Sequence, residues 1–289
     1  MRLNFNPKVA LIFVKYYDEK YPHAFERLKS YLINGKKRNI TCLIVDNRNE
    51  GSSWRNLDEN TFYLEGDNSD REFSGWQRGL NFLREQEIKY DVVLFVNEAF
   101  EAIGPSYLKD NNINWLIRKT YFLNAAIGFV DTRWERTRLH NKGTRIWVNT
   151  NCFFIPTSLL NKLQSLVMVD EKMLDDYLPL QFPGLDSPFA KTAPMNDVYK
   201  RNIITWLTEE WHGRIELSEQ TWPLFRSKVK AMLNEVMLSV RIRELGHMIL
   251  PYSIPRFAFK KIRGVFRKMR KIVSRRYQRS LRDTVFTGQ

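Results

Sequence analysis

The chain has 289 residues, of which 43% are hydrophobic and 27% are charged, and this composition excludes an intrinsically disordered protein. The net charge is +14, but residues 256–282 contain twelve Lys or Arg and no Asp or Glu, so the basic character belongs to a C-terminal tail. Only two cysteines are present, which excludes a disulfide-rich secreted scaffold.

The first hundred residues alternate between segments typical of strands and of helices. Continuous apolar or β-branched runs predict buried strands of a parallel sheet at residues 8–15, 40–45, 61–64 and 90–96. Apolar residues at three- and four-residue spacing predict helices at residues 23–33 and 73–83. Cys42 and Cys152 lie inside such apolar runs, so we expect them to be core side chains.

Polar side chains follow the predicted strands. Tyr16, Asp46, Asn68 and Asn97 stand at or just beyond the carboxyl ends of the four strands. In an open α/β sheet these ends meet at one edge, where ligands bind. The sequence therefore predicts a ligand site at this edge.

The second half of the chain departs from strict alternation. We predict strands at residues 125–130 and 144–155, and helices at residues 158–167, 197–211 and 222–245. Residues 170–194 are rich in Pro and Asp and are predicted to form a long surface loop.

The order of these elements resembles the glycosyltransferase A fold, in particular inverting enzymes of the family 2 type that build bacterial polysaccharides. The resemblance covers about residues 8–165 and implies a Rossmann-like, nucleotide-binding mixed sheet flanked by helices, with a helical C-terminal extension. It implies a catalytic domain at residues 1–220, with a donor half at about 1–130 and an acceptor half at about 131–220. A helical extension at 221–250 and a basic tail at 251–289 would follow.

The resemblance also implies a site for a nucleoside-diphosphate sugar of the UDP or dTDP type. Asp46 stands where that family reads the nucleotide base, and the segment around Gly75 stands where a helix start faces the diphosphate. An Asp after a strand is also common as a turn cap, and a Trp at helical spacing is commonly a core residue. The implied donor contacts are Val14, Tyr16, Asp46, Asn47, Arg48, Asn68, Gly75, Trp76 and Arg78.

Family 2 enzymes end the fourth strand in an Asp-x-Asp-like motif that binds Mg²⁺ or Mn²⁺. Here Asn97 and Glu98 occupy that place. Because Asn offers only a neutral oxygen, the implied metal site is weaker, and dependence on a divalent metal stays open.

An inverting transferase needs a general base for the acceptor hydroxyl. The downstream acids Asp186 and Asp197 are the first candidates, followed by Glu209; a retaining enzyme would need no such base. Trp147, Trp206 and Trp211 are candidates for stacking against an acceptor sugar, or equally for core packing.

Apolar residues recur at three- and four-residue steps in the basic tail, which predicts an amphipathic helix that binds an anionic membrane surface through residues 256–282. A basic helix also suits nucleic acid or a partner protein. Bulky apolar residues on the opposite face favour the membrane, so nucleic acid is not the expected partner.

Together these observations predict a glycosyltransferase that moves a sugar from a nucleotide donor to a glycan or lipid-linked glycan in bacterial surface polysaccharide synthesis, such as O-antigen. No signal peptide or apolar run of ~20 residues is found, so we expect a cytoplasmic protein on the inner face of the plasma membrane. The alternatives are a noncatalytic sugar-nucleotide or glycan-binding subunit and a nucleic-acid-associated α/β protein.

Overall fold

The computed structural model describes residues 6–17, 19–33, 40–103, 108, 113–185, 187–211 and 213–252. The candidate base Asp186 and the basic tail at 256–282 therefore lie outside the described residues. Contacts group the described chain up to Tyr252 into one compact unit.

One mixed sheet forms the centre of the described chain. Its strands follow the spatial order β3-β4-β2-β1-β5-β7-β6-β8. Strands β4, β2, β1 and β5 are parallel, whereas β3 and β7 run antiparallel to β4 and β5. The strands are β1 (Val9–Lys15), β2 (Ile40–Glu50), β3 (Trp54–Asp58), β4 (Thr61–Gly66), β5 (Val92–Asn97), β6 (Ala126–Leu139), β7 (Lys142–Pro156) and β8 (Ile249–Pro251).

Helices flank this sheet. They are α1 (Ala24–Ile33), α2 (Glu72–Glu85), α3 (Phe100–Ile103), α4 (Ile113–Leu123), α5 (Thr157–Leu163), α6 (Glu171–Asp175), α7 (Asp197–Thr205) and α8 (Trp222–Glu244), with a π-helical turn at Trp206–Glu210 that continues α7. The predicted class, a Rossmann-like mixed sheet flanked by helices, is confirmed.

The side chains of β1 alternate between two apolar cores. Ala10, Ile12 and Val14 pack on the face that α2, α5 and α8 cover, while Leu11 and Phe13 pack on the opposite face with α1 and α4. A strand buried on both faces has to be apolar throughout, which explains the continuous apolar run. The predicted core positions of Cys42 and Cys152 are confirmed, and burial raises the pKa of their thiols to about 11 and about 12.

The prediction of a surface loop at residues 170–194 is right in part, because residues 176–185 and 187–194 form neither helix nor strand. The segment contains α6, and Tyr177, Leu178 and Phe189 are buried in a third apolar cluster with α7 and α8. The polar and Pro-rich sequence around these apolar side chains gave no local sign of their burial. Phe189 packs on Phe225 of α8, and Phe182 of the same segment packs on Trp222. The edge strand β3, exposed along its length, was also not predicted.

Candidate functional site

A cleft of about 710 Å³ opens where β1 and β5 end. Its walls come from five parts of the fold: the segment after β1, the start of α2, the β6–β7 hairpin, α7 with the π-helical turn that continues it, and one face of α8. It therefore lies at the edge of the sheet that the sequence indicated, but α8 forms a wall that the sequence assigned to an extension.

Six of the predicted donor and metal residues line this cleft. They are Val14, Tyr16, Asn47, Asn68, Asn97 and Glu98. Each lies at the carboxyl end of a parallel strand or in the segment that follows one, so the shared edge of the sheet brings them together.

Asp46 does not line the cleft. Its carboxylate is 1% exposed and accepts hydrogen bonds from Tyr63 at 2.8 Å and Asn49 at 3.0 Å, and Lys15 Nζ lies 3.0 Å away. Desolvation alone would raise its pKa, but the hydrogen bonds from Tyr63, Lys15 and the Arg48 amide outweigh it, so the pKa of Asp46 is lowered. Arg48 Nε lies 3.6 Å from Asp46 Oδ1, and Arg48 is not among the residues that line the cleft.

The predicted contacts within α2 face the protein instead of the cleft. Trp76 is fully buried, donates a hydrogen bond to the carbonyl of Val96 and packs on Phe95 and Phe153. Arg78 donates to the carbonyl of Ser52 at 2.6 Å. Gly75 lets α2 approach β1, because a Cβ there would lie 2.7 Å from Val14 Cγ2.

Glu98 and Asn97 do not form a complete metal donor set. The Glu98 carboxylate accepts hydrogen bonds at 2.7 Å from the backbone amides of Tyr16 and Tyr17, so it ties the end of β1 to the end of β5. Asn97 Oδ1 is buried and has no hydrogen-bond partner among the described residues, yet it is a single neutral oxygen. Mg²⁺ is commonly held by one or two carboxylates together with the phosphates of a substrate, and the carboxylate at this place, Glu98, is engaged with two backbone amides. Within the described ranges, no group of three His, Cys, Asp or Glu could hold a metal ion.

The predicted bases Asp197 and Glu209 are exposed and do not line the cleft. Asp197 stands in the first turn of α7, and Glu209 stands in the π-helical turn.

Two of the carboxyl groups that line the cleft, Glu72 and Glu235, meet at Thr150 of β7. Glu235 of α8 accepts hydrogen bonds from the Thr150 amide at 3.2 Å and from its hydroxyl at 2.9 Å, and Glu72 Oε1 lies 3.2 Å from the same hydroxyl. Burial, followed by the negative charge of Asp131, raises the pKa of Glu235 to about 8. A carboxyl group with this pKa can gain or lose a proton near neutral pH.

Cationic side chains line the same cleft. Arg71 precedes α2, Lys228 lies on α8, and Lys20 follows β1. Burial and the charges of Arg71 and Lys20 lower the pKa of Lys228 to about 8, against an opposing effect of Glu72.

The aromatic candidates Trp147, Trp206 and Trp211 all line the cleft. Trp206 and Trp211 lie beside each other, with ring centroids 6.2 Å apart, and Lys228 Nζ lies 4.4 Å from the Trp211 ring centroid. Flat apolar surfaces next to polar groups suit a sugar ring.

Sequence reasoning missed Glu235 and Lys228 even though it predicted their helix. Lys228, Ala231, Met232 and Glu235 follow one another at helical spacing and all line the cleft. This spacing marks one helix face, but the sequence alone does not say against which edge of the sheet that face packs.

Comparison with known proteins identifies no family. Neither the protein-family profiles nor the curated proteins contain a match to the sequence. Among solved structures, a mannosyltransferase of Pyrobaculum calidifontis in complex with GDP-Man and Mn²⁺ is 13% identical, with a TM-score of 0.35 over 91% of this chain and 81% of that one.

Two other solved structures are similar to the same degree. The bifunctional IspDF of Campylobacter jejuni matches over 54% of this chain and 42% of that one, with 14% identity and a TM-score of 0.33. For 4-diphosphocytidyl-2C-methyl-D-erythritol synthase of Anaerococcus prevotii, the identity is 12% and the TM-score 0.33, over 78% of this chain and 97% of that one.

Proposed function

We propose that this protein is a glycosyltransferase that moves a sugar from a nucleoside-diphosphate donor to an acceptor hydroxyl in this cleft. The observation that supports it best is that Glu235 faces the same cavity as Arg71 and Lys228. A base and an anion site are the groups that a direct displacement at a sugar carbon requires.

The positions along α8 suit such a displacement. Lys228 and Glu235 are two helical turns apart, so their backbones are separated by about 10 Å along the axis. That spacing accommodates a sugar ring between a phosphate near Lys228 and an acceptor hydroxyl near Glu235. The tryptophans on the cleft wall offer surfaces against which sugar rings stack.

In the proposed reaction, the acceptor oxygen attacks the anomeric carbon while its proton moves to the carboxylate of Glu235. The bond between that carbon and the phosphate oxygen breaks, and the electron pair leaves with the nucleoside diphosphate. A single displacement of this kind inverts the anomeric configuration. Thr150 acts as a positioning residue, because its amide and hydroxyl both donate to Glu235.

The finer assignments are part of the same proposal. The donor is of the UDP or dTDP type, the acceptor is a glycan or a lipid-linked glycan, and the pathway is surface polysaccharide synthesis. Attachment through residues 256–282 to an anionic membrane would bring the cleft to such a lipid-linked acceptor.

The test is release of nucleoside diphosphate from UDP-, dTDP- and GDP-sugars in the presence of glycan acceptors. Glu235→Gln should lower kcat by about a hundredfold or more, because general-base catalysis contributes at least that much. In the unmodified protein kcat/KM should rise as the pH approaches the pKa of Glu235, about 8, because the base must be ionised. The exposed Glu219→Gln is the matched control and should leave kcat unchanged.

Other outcomes would identify other functions. If Asp197→Asn or Glu209→Gln abolished turnover and Glu235→Gln did not, the base would be the one that the sequence suggested. Binding of donor without any release of product would support the noncatalytic subunit.

A further inference from the structure

Three cations from distant parts of the chain meet in the cleft. Lys20, Arg71 and Lys228 belong to three separate elements and line the same cleft. Burial lowers the pKa of Lys228 most, the charges of Arg71 and Lys20 lower it further, and the charge of Glu72 opposes them. Like charges placed together in a partly buried cleft destabilise the protein unless an anion binds there.

The contrast between Lys228 and its neighbours on α8 shows that this arrangement is specific to the cleft. Lys230 pairs with Asp70 and with Glu171, the latter at 2.6 Å, and Arg226 pairs with Asp175 at 2.8 Å. In the described part of the chain, no carboxylate forms an ion pair with Lys228; its Nζ lies over the ring of Trp211, and Glu72 acts on it only through its charge. The helix thus pairs the cations that face the protein and leaves Lys228 available to a ligand.

Arg71 is held toward the cleft by its own backbone. Its φ of 54° lies in the left-handed region, which a non-glycine residue adopts only when its surroundings impose it. The Arg71 carbonyl accepts hydrogen bonds from Asn47 Nδ2 at 2.7 Å and from the Ser74 hydroxyl at 3.0 Å, and these bonds fix the turn. Arg71 Nε is buried and has no acceptor among the described residues.

We propose that Lys228, Arg71 and Lys20 bind the diphosphate of the donor, and that they supply in place of a divalent cation the positive charge that the leaving nucleoside diphosphate needs. This inference rests on the proposed function and defines how its donor is held. Guanidinium groups bind phosphate oxygens in pairs, and an ammonium adds a compact charge. The incomplete metal donor set at Asn97 and Glu98 agrees with this role for the cations.

The test is titration calorimetry of the full chain with UDP, dTDP and GDP, in EDTA and separately in MnCl₂. In EDTA the unmodified protein should bind one of these diphosphates, and Mn²⁺ should change the dissociation constant by less than about threefold, or about 0.7 kcal/mol. Lys228→Met and Arg71→Met should each weaken binding by about tenfold or more, since each removes a hydrogen bond to a charged group. Lys228→Arg should largely restore affinity, and the exposed Lys172→Met should leave it unchanged.

Proton uptake gives a second readout that a loss of folding cannot imitate. At pH 8 Lys228 is partly deprotonated in the free protein, and a bound diphosphate should return it to the charged form. Calorimetry in two buffers of different ionisation enthalpy should therefore show proton uptake on binding. Because the pKa of Glu235 is also about 8, the comparison is made in the Glu235→Gln variant, where Lys228→Met should abolish the uptake while the melting temperature stays unchanged.

Two results would overturn the inference. The first is binding that requires Mn²⁺ and is unchanged in Lys228→Met and Arg71→Met. This result would disprove the role of the cations and leave the transferase proposal in place. Binding of none of the diphosphates in either condition would remove both. Competition by farnesyl diphosphate in preference to the nucleotides would assign the site to a lipid diphosphate and overturn its assignment to the donor.

Discussion

Glu235 retains its proton in the folded protein to a higher pH than in the unfolded chain. Its folded pKa is about 8, raised by burial and by Asp131, against an ordinary value of 4.5. Between these values the folded state binds more protons, so the free energy of unfolding should fall as the pH rises from about 4.5 to about 8.

We expect Glu235→Gln to remove this part of the pH dependence. At pH 8.5 the variant should be more stable than the unmodified protein by roughly 4 kcal/mol, because no buried charge has to form, whereas near pH 5 the two should be similar. Urea unfolding at the two pH values measures the difference. An unchanged pH slope in the variant would show that Glu235 ionises normally.

The residues that the sequence located correctly at the cleft are those whose place depends only on strand direction. Tyr16, Asn97 and Glu98 follow parallel strands, and such ends always meet at one edge. Asp46 follows the same rule, but side chains alternate along a strand, and its neighbour Asn47 is the one that lines the cleft. Which of two consecutive side chains faces a ligand depends on strand register, which the sequence does not fix.

Helix α2 approaches the sheet closely through two glycines. A Cβ on Gly79 would lie 2.5 Å from Ile12 Cγ2, and a Cβ on Gly75 would lie 2.7 Å from both Val14 Cγ2 and Asn47 Oδ1. The same approach positions Asn47 for its bond to the Arg71 carbonyl, so the packing of α2 and the shape of the anion site are coupled.

Gly75→Ala should therefore destabilise the protein by about 2 kcal/mol, the typical cost of forcing an extra methyl group into a packed core. It should also weaken diphosphate binding, because Asn47 must move. Chemical unfolding together with the same calorimetric titration checks both effects. Glu85→Ala, at an exposed position of α2, is the control and should change stability by less than about 0.5 kcal/mol.

The sequence predicted that α8 exists but not what it does. Its periodic apolar residues specify a helix, and they form much of the third apolar cluster. Its contacts with β7 and with residues 170–179 join parts of the chain that lie far apart in sequence, such as Arg226 with the carbonyl of Leu178. Pairings over such separations leave no local pattern, which is why the sequence placed α8 in an extension.

The described chain ends in a firmly packed segment. Strand β8 pairs with β6, and the Tyr252 amide donates to the carbonyl of Gly128 at 3.0 Å while its hydroxyl donates to the carbonyl of Cys152. No helix in the described ranges combines the length and apolarity that a bilayer span requires.

A chain that stops after Tyr252 should keep the melting temperature of the full chain and should no longer bind anionic vesicles. Each tail Lys or Arg near an anionic surface contributes on the order of 1 kcal/mol, and twelve of them lie within residues 256–282. Vesicle sedimentation and thermal melting measure the two properties. If the shortened chain still bound vesicles, the tail would not be the membrane-binding segment. If the shortened chain lost RNA binding and kept vesicle binding, nucleic acid would be the favoured partner of the tail.

A chain that stops after Gly246 is the companion variant. It loses β8 and the buried Tyr252, so its stability should fall by at least about 3 kcal/mol.

The position of α8 near the end of the described chain also determines when the cleft can exist during synthesis. Lys228 and Glu235 emerge from the ribosome only after the strands that carry Tyr16, Asn47 and Asn97 have been made. A nascent or prematurely terminated chain without α8 lacks both Lys228 and Glu235, and it leaves uncovered the apolar face of the sheet against which Leu238 and Ile242 pack. Under the proposed function, such an incomplete chain would neither bind nor turn over sugar nucleotides. The ability to do so would arise in a single late step, when α8 packs against the sheet.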